Sequence, residues 1–231
     1  MKRFWKAAEP GREEGGWAVR LDGKPLKTPM RELLLAPTEA LARAIAGEWN
    51  SVGEQIDPRS MPLTGLTNAA IDRVRPNPST FAAGLAKYAE ADLACYRAES
   101  PSALVERQAQ SWDALLGWAR RRFDVDFRVT SGILHVDQPQ GTVDRLSHAI
   151  VVLDEFRLAG LSPLVTIGGS LIVALAVLEG ELSPEDAWEA VSIDDRWQLE
   201  QWGADAEAEE RLENSRRDFL AAARFLELLS G

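Results

Sequence analysis

The sequence predicts an α+β protein with a small β-rich N-terminal domain followed by a larger multihelical C-terminal domain. Near the N-terminus, apolar residues alternate with polar or small ones up to Asp22-Gly23, a pattern typical of a β-hairpin. Beyond about residue 80, apolar residues recur mostly at helical spacing. Two prolines with Asn and Ser at 75–79 disfavour both helix and β-ladder. We therefore place the domains at 1–75 and 76–231.

The N-terminal domain begins with the predicted hairpin, whose first strand carries Trp17, Val19 and Leu21. Residues 24–28 form the returning strand, and the leucines at 33–35 supply another.

Two helices complete this domain. Thr38 is a suitable N-cap for a helix whose apolar face holds Leu41, Ile45 and Trp49, spaced at i, i+4 and i+8. Because Trp49 continues this stripe, we interpret it as a core residue, with partner contact as the alternative. A second helix is predicted over 63–74.

The C-terminal domain is predicted to be helical, with one interruption by a short hairpin near 126–136. Ser183-Pro184-Glu185-Asp186 is a strong helix start, since it combines a cap, a first-turn proline and two acids. The uncharged stretch 161–178 approaches the length of a membrane span, but its proline and glycines favour a buried core helix. The predicted helices lie at about 81–88, 104–119, 142–159, 162–179, 183–203 and 206–229.

Composition and motifs exclude several classes of function. The 231 residues contain 26 Lys plus Arg and 36 Asp plus Glu, a net charge of −10, which argues against nucleic-acid or anionic-membrane binding. One cysteine, Cys95, and two histidines do not form a structural zinc set, and they suit a reducing compartment. No P-loop, dinucleotide fingerprint or nucleophile elbow occurs. We expect no nucleotide, metal or other cofactor. The N-terminal residues show neither the apolar run of a secretory signal nor the Arg/Ser-rich, acid-poor composition of an organellar leader, so we expect a cytoplasmic protein.

The charge is concentrated in one segment. Residues 179–213 hold thirteen acidic and two basic residues, a net charge of −11. Such a run is often only a solvated helix face. However, Trp197 and Trp202 lie inside it, and aromatic residues among charges are typical anchors of protein interfaces.

A series of short motifs distributed in order along nearly the whole chain resembles the assembly chaperones of the ATP synthase catalytic head, which hold its free alpha subunit. The N-terminal motifs are LDGKPLKTP at 21–29, PTEALA at 37–42, Glu48-Trp49, Ile56-Asp57-Pro58 and MPLT at 61–64. The later ones are Asp92, Cys95-Tyr96-Arg97, Pro101, LVE at 104–106, Gln108, Trp112-Asp113, Trp118, Trp197-Gln198 and Trp202-Gly203. The chain departs from the family pattern in three places: at Val52, at Ala114 and at the acidic pair Asp194-Asp195, which stands where two glutamates are common.

The resemblance implies a non-catalytic protein that binds the alpha subunit before it meets beta, with no nucleotide and no membrane insertion. Eukaryotic relatives would be mitochondrial, and this chain resembles a bacterial member. The partner-binding residues that we select lie in the acidic segment, with Trp49 added from its family motif: Asp194, Asp195, Trp197, Glu200, Trp202 and Trp49. We expect the aspartate pair to face the partner or to orient the surface that does, and Trp197 to pack mainly inward.

Two alternatives remain at this point. The protein could be an interaction module for another basic partner, or an enzyme that uses Asp194 and Asp195 for acid/base chemistry. Adjacent helical residues point about 100° apart, which disfavours the enzyme.

Overall fold

The computed structural model describes residues 2–132, 134–203 and 205–230, without the side chain of Trp202. A small sheet region is followed by a helical region, so the predicted α+β class is confirmed. The chain forms two compact units, the first comprising Met1–Pro78, Asp154–Gly160 and Arg224–Gly231. The second comprises Ser79–Leu153 and Leu161–Ala223. The linear division at 75/76 omitted the two later segments of the first unit, because periodicity identifies a buried helix face but not the neighbour that covers it.

A four-stranded antiparallel sheet organises the first unit, and its strands are β1 (Ala8–Glu13), β2 (Gly16–Leu21), β3 (Lys24–Pro25) and β4 (Leu35–Ala36). The central strand is β2, which pairs with each of the other three. Asp22 and Gly23 turn the chain between β2 and β3 with φ values of 48° and 83°, as a two-residue hairpin loop requires. The predicted hairpin is therefore confirmed, with a shorter returning strand.

Helix α1 (Glu39–Ser51) packs on β1 and β2 and begins at the predicted cap. The Thr38 hydroxyl accepts a hydrogen bond from the Leu41 amide at 3.2 Å and donates one to the Leu228 carbonyl at 2.6 Å. Helix α2 (Pro62–Ala69) continues in a π-helical turn (Ala70–Val74). The Glu48 carboxylate accepts hydrogen bonds from the first amides of α2, so α1 also caps its neighbour. Both predicted helices are confirmed.

Within the first unit, the chain segments 154–160 and 224–231 approach each other closely. A Cβ at Gly160 would lie 2.7 Å from a methyl carbon of Leu226 and 2.9 Å from the ring of Phe225. The glycine therefore allows a contact that a larger residue would prevent.

In the described part of the chain, eight further α-helices lie mainly in the second unit: α3 (Pro78–Ala86), α4 (Ser102–Phe123), α5 (Gln140–Val151), α6 (Glu155–Gly168), α7 (Leu171–Leu178), α8 (Pro184–Val191), α9 (Ile193–Trp202) and α10 (Ala206–Leu228). Within this unit α4 packs against α7, α8 and α9. None of the helices in the described part of the chain is both long enough and apolar enough to cross a membrane.

Three stretches that were predicted as single helices are each divided in two. The breaks fall before α6, α7 and α9, next to side chains that compete for backbone hydrogen bonds. Asp154 accepts from the Phe156 amide at 2.9 Å, Ser170 accepts from the Val173 amide at 3.0 Å, and Ser192 donates to the Trp188 carbonyl at 2.7 Å. Apolar periodicity continues across such breaks and does not reveal them.

The short hairpin predicted near 126–136 is wrong for the described residues. Among the residues of that segment that the structure describes, the only strand is β6 (Thr130–Ser131), which pairs in parallel with β5 (Tyr96–Arg97). Ile133 lies outside the described residues. The side chain of Gln138 makes the backbone hydrogen bonds that a partner strand would make: it accepts from the Arg128 amide at 3.0 Å and donates to the Arg128 carbonyl at 2.9 Å.

A buried carboxylate joins two elements of the second unit. Asp92 is fully buried and accepts hydrogen bonds from the Ser170 hydroxyl at 2.7 Å and the Ile172 amide at 3.0 Å. Burial raises the pKa of Asp92 to about 6, although these hydrogen bonds act in the opposite direction.

Candidate partner-binding site

Helix α9 lies within the acidic segment, and its residues line two different surfaces. Asp195, Gln198 and Leu199 line a cleft whose opposite wall comes from α10. Arg196 and Glu200 line a shallower surface shared with α4. Because residues three or four apart share one helix face, the predicted site residues do not form a single surface.

The cleft has a volume of about 520 Å³, and we call it the α9–α10 cleft. Trp188 and Ile167 both line the cleft. Trp188 is 5% exposed and Ile167 is 36% exposed. The remaining apolar walls come from Val191, Leu199, Ala208 and Leu212. Polar groups lie among them: Asp195, Gln198, Asp205, Arg211 and Ser215. The lining is divided about equally between apolar and polar residues, so the cleft offers apolar contact together with polar groups that can orient a bound segment.

Asp195 places a negative charge in this cleft. Among the described residues its carboxylate has no hydrogen bond or ion pair. Burial and the charge of the neighbouring Asp194 raise its pKa, whereas the positive charge of Arg211, which also lines the cleft, acts in the opposite direction. The cleft therefore contains a carboxylate that a cation from another molecule would stabilise.

Asp194 points away from the cleft towards α4. Its Oδ1 accepts a hydrogen bond from Gln108 Nε2 at 2.7 Å. Gln108 is only 1% exposed, and its Oε1 accepts from the Ala98 amide at 2.8 Å. Of the two roles considered for the aspartate pair, facing the partner is therefore open to Asp195, while Asp194 is engaged within the unit.

Two other predicted site residues of the acidic segment, Trp197 and Glu200, contact an arginine of α4. Arg107 donates from Nη1 and Nη2 to the two carboxylate oxygens of Glu200, at 2.9 and 3.0 Å. The guanidinium carbon of Arg107 lies 5.0 Å from the ring centroid of the half-buried Trp197. These hydrogen bonds and the positive charge of Arg107 lower the pKa of Glu200. The side chain of Trp202 lies outside the described residues.

Trp49 belongs to the first unit and not to the unit that contains the cleft. It is half-buried, and its ring packs edge-to-face on Trp5 with a centroid distance of 4.9 Å. Trp5 Nε1 also donates to the Trp49 carbonyl at 3.2 Å. The two tryptophans thus stabilise each other, and a partner contact by Trp49 stays a prediction.

Sequence reasoning did not select several residues that shape this region. Trp188 and Arg211 line the cleft, and Arg107 occupies the α4-facing side of α9. Trp188 lies seven residues before Asp195, a spacing that could have placed both on one side of a continuous helix. Arg107 had no such signal, because 93 residues separate it from Glu200.

The geometry also bears on the enzymatic alternative. Asp194 hydrogen-bonds to α4, whereas Asp195 lines the cleft on another side of the same helix. Two carboxylates that act as an acid/base pair must converge on one substrate. This pair does not converge.

Comparison with known proteins identifies the family. A family model described as ATP12 chaperone protein matches residues 2–120. The chain is 26% identical over 238 residues to "Protein atp12, mitochondrial" of Schizosaccharomyces pombe, covering 98% of this chain and 82% of that protein.

Solved structures extend the similarity to the whole fold. The crystal structure of Atp12 from Paracoccus denitrificans is 43% identical with a TM-score of 0.93, covering 99% of this chain and 98% of that one. An aspartate-to-lysine mutant of the same Atp12p is 42% identical, also with a TM-score of 0.93, covering 99% and 97%. The Atu1473 protein of Agrobacterium tumefaciens is 38% identical with a TM-score of 0.93, covering 99% of this chain and 86% of that one. Since the family model covers more than half of the chain and these structures match nearly all of it, the chain belongs to the ATP12 chaperone family, whose members assist ATP synthase assembly.

Proposed function

We propose that this protein holds the unassembled alpha subunit of ATP synthase until that subunit pairs with beta, and that the α9–α10 cleft contacts it. The observation that supports the placement is the carboxylate of Asp195, which lines this cleft and has no hydrogen bond or ion pair among the described residues. The proposal also includes a cytoplasmic location and the absence of catalysis.

The chemistry of the cleft suits the task of a chaperone. An unassembled subunit exposes surface that its neighbour later covers, and exposed apolar surface causes aggregation. The apolar walls of the cleft can cover part of such a surface. Acidic groups around the cleft, within a segment of net charge −11, favour a partner segment that contains lysine or arginine. Charge complementarity chiefly sets orientation and association rate, so the complex can remain releasable.

Co-expression tests the choice of partner. We expect the alpha subunit to be soluble with this protein and largely aggregated without it, and to co-purify with it in the absence of beta. An equal soluble fraction of alpha under both conditions would refute the proposal. Recovery of a different basic protein from the native cell, without alpha, would instead support the general interaction module.

A matched pair of charge reversals tests the placement. Asp195→Lys should reduce alpha capture about tenfold or more, which corresponds to roughly 1.4 kcal/mol per factor of ten. Glu210→Lys makes the same charge change at an exposed position of α10 that does not line the cleft, and it should have little effect. Equal losses in both variants would show that only the overall charge of the segment matters.

A further inference from the structure

We infer that Trp197 and Glu200 form a binding site for an arginine side chain of the partner, and that Arg107 of the chain itself occupies this site in the free protein. This guanidinium site lies on the α4-facing side of α9, away from the α9–α10 cleft. It rests on the proposed function for the identity of the partner, but not for the chemistry of recognition.

The first argument is the geometry around Arg107. Each carboxylate oxygen of Glu200 accepts one hydrogen bond from the guanidinium of Arg107, at 2.9 and 3.0 Å. Trp197, one turn earlier on the same face of α9, places its ring 5.0 Å from the guanidinium carbon. The bidentate contact with a carboxylate requires the guanidinium fork of arginine, and the cation–π attraction of a neighbouring aromatic ring is made more often by arginine than by lysine. A lysine could supply the charge but could not make the bidentate contact.

The second argument is that the resident arginine can be exchanged. The side chains of Arg107 and Glu200 are 41% and 44% exposed, and exposed ion pairs contribute little net stability. Replacing Arg107 by an arginine of the partner therefore breaks no buried contact. Arg196 is not a ready substitute, because it is paired with Glu189.

The third argument is the contrast between Arg107 and its neighbour. Gln108 is 1% exposed and hydrogen-bonds to Asp194, which lies on α9 as Glu200 does. Gln108 can hold α9 against α4 while the side chain of Arg107 moves away. Two consecutive residues of α4 thus make one fixed contact and one exchangeable contact with α9.

A small-molecule titration tests the site without the alpha subunit. N-acetyl-argininamide is added to Arg107→Ala and to the wild-type protein, and the indole N–H signal of Trp197 is followed by NMR, with Trp197→Phe identifying the signal. We expect a saturable shift in Arg107→Ala and a much smaller one in the wild type, where the site is filled. N-acetyl-lysinamide should shift the signal less than the arginine amide. No shift in the folded Arg107→Ala protein, or equal shifts with both amides, would overturn the inference.

Capture of the alpha subunit tests the function of the site. Removal of the competing side chain in Arg107→Ala should strengthen capture roughly two- to fivefold, and adding Glu200→Gln should abolish that gain. Arg43→Ala removes another exposed, ion-paired arginine from the first unit and should have no effect. Weaker or unchanged capture by a folded Arg107→Ala protein would overturn the inference.

If Arg107→Ala does not fold, Arg107→Lys serves in both experiments, because it keeps the charge but not the fork. If the wild type captures no alpha subunit, the proposed function fails while the amide titration still decides the site.

Discussion

Gln108 donates a hydrogen bond from Nε2 to Asp194 Oδ1 at 2.7 Å, and this contact gives two adjacent aspartates different environments. Asp194 is held by α4, whereas Asp195 has no hydrogen-bond or ion-pair partner among the residues that the structure describes. A motif that looks like one doubly charged patch in the sequence therefore contains an internal contact and a free carboxylate.

Removing the Gln108 side chain should destabilise the second unit. Gln108→Ala leaves the Ala98 amide and the Asp194 carboxylate without this partner and creates a cavity. We expect a loss of about 2–4 kcal/mol in the free energy of unfolding, measured by urea denaturation. Gln110→Ala changes an exposed glutamine of the same helix and should alter stability by less than about 0.5 kcal/mol. Equal effects would show that the buried contact is not important for stability.

Substitutions at Asp194 should affect mainly stability, whereas substitutions at Asp195 should affect mainly binding of the alpha subunit. Asp194→Asn can still accept the hydrogen bond from Gln108, whereas Asp194→Lys leaves that donor unpaired and should lower stability by about 1–3 kcal/mol. Asp195→Lys should leave the thermal melting temperature nearly unchanged while it weakens alpha capture. Calorimetry and pull-down on the three variants measure both quantities. A strong fall in the melting temperature of Asp195→Lys would mean that this residue is structural.

The buried carboxylate of Asp92 should make stability depend on pH. Because burial raises its pKa from 3.8 to about 6, the folded protein binds more protons here than the unfolded chain between these values. The contribution of Asp92 to the free energy of unfolding should therefore fall by up to about 3 kcal/mol as the pH rises from about 4 to about 6, and stay constant above that.

Comparison with Asp92→Asn isolates this effect from the other carboxylates. Asparagine does not titrate, and its amide group would face the Ile172 or Ser170 donors, so the variant should be less stable at every pH. Denaturation at several pH values should show the advantage of the wild type shrinking as the pH rises through this range. An advantage that grows with pH would mean that the hydrogen bonds outweigh burial and lower the pKa.

Trp49 should act mainly as a core residue of the first unit. Trp49→Ala removes the ring that packs on Trp5 at 4.9 Å and should cost about 3 kcal/mol of stability. Trp49→Phe keeps an aromatic partner and should cost less. Alpha capture, measured at a temperature where the variants are folded, should not change. Normal melting together with lost capture would identify Trp49 as a partner contact instead.

The sequence predicts those features that depend on neighbouring residues. The Asp22-Gly23 turn and the Thr38 cap follow from backbone geometry and one local hydrogen bond, and both occur in the structure. The break at Ser192 was missed, because a serine is compatible with both a helix interior and a helix end, and only its surroundings decide.

The candidate site depends on residues that are distant in the sequence. The acidic segment and its tryptophans were recognisable from composition, but their division between two faces of α9 was not. That division depends on Gln108 and Arg107, which lie 86 and 93 residues before Asp194 and Glu200. No local periodicity carries this information, since it depends on how α4 packs against α9.

The hydrogen bond from Thr38 to the carbonyl of Leu228 affects the order in which a ribosome can produce the folded protein. These residues are 190 positions apart, and residues 224–231 belong to the same compact unit as the N-terminal sheet. During translation the sheet emerges early, but it must wait for the last turns of α10 before its unit is complete. The nascent first unit therefore has an unfinished apolar surface until the last turns of α10 have been synthesised, so a chaperone of this family would itself be exposed to aggregation during that time.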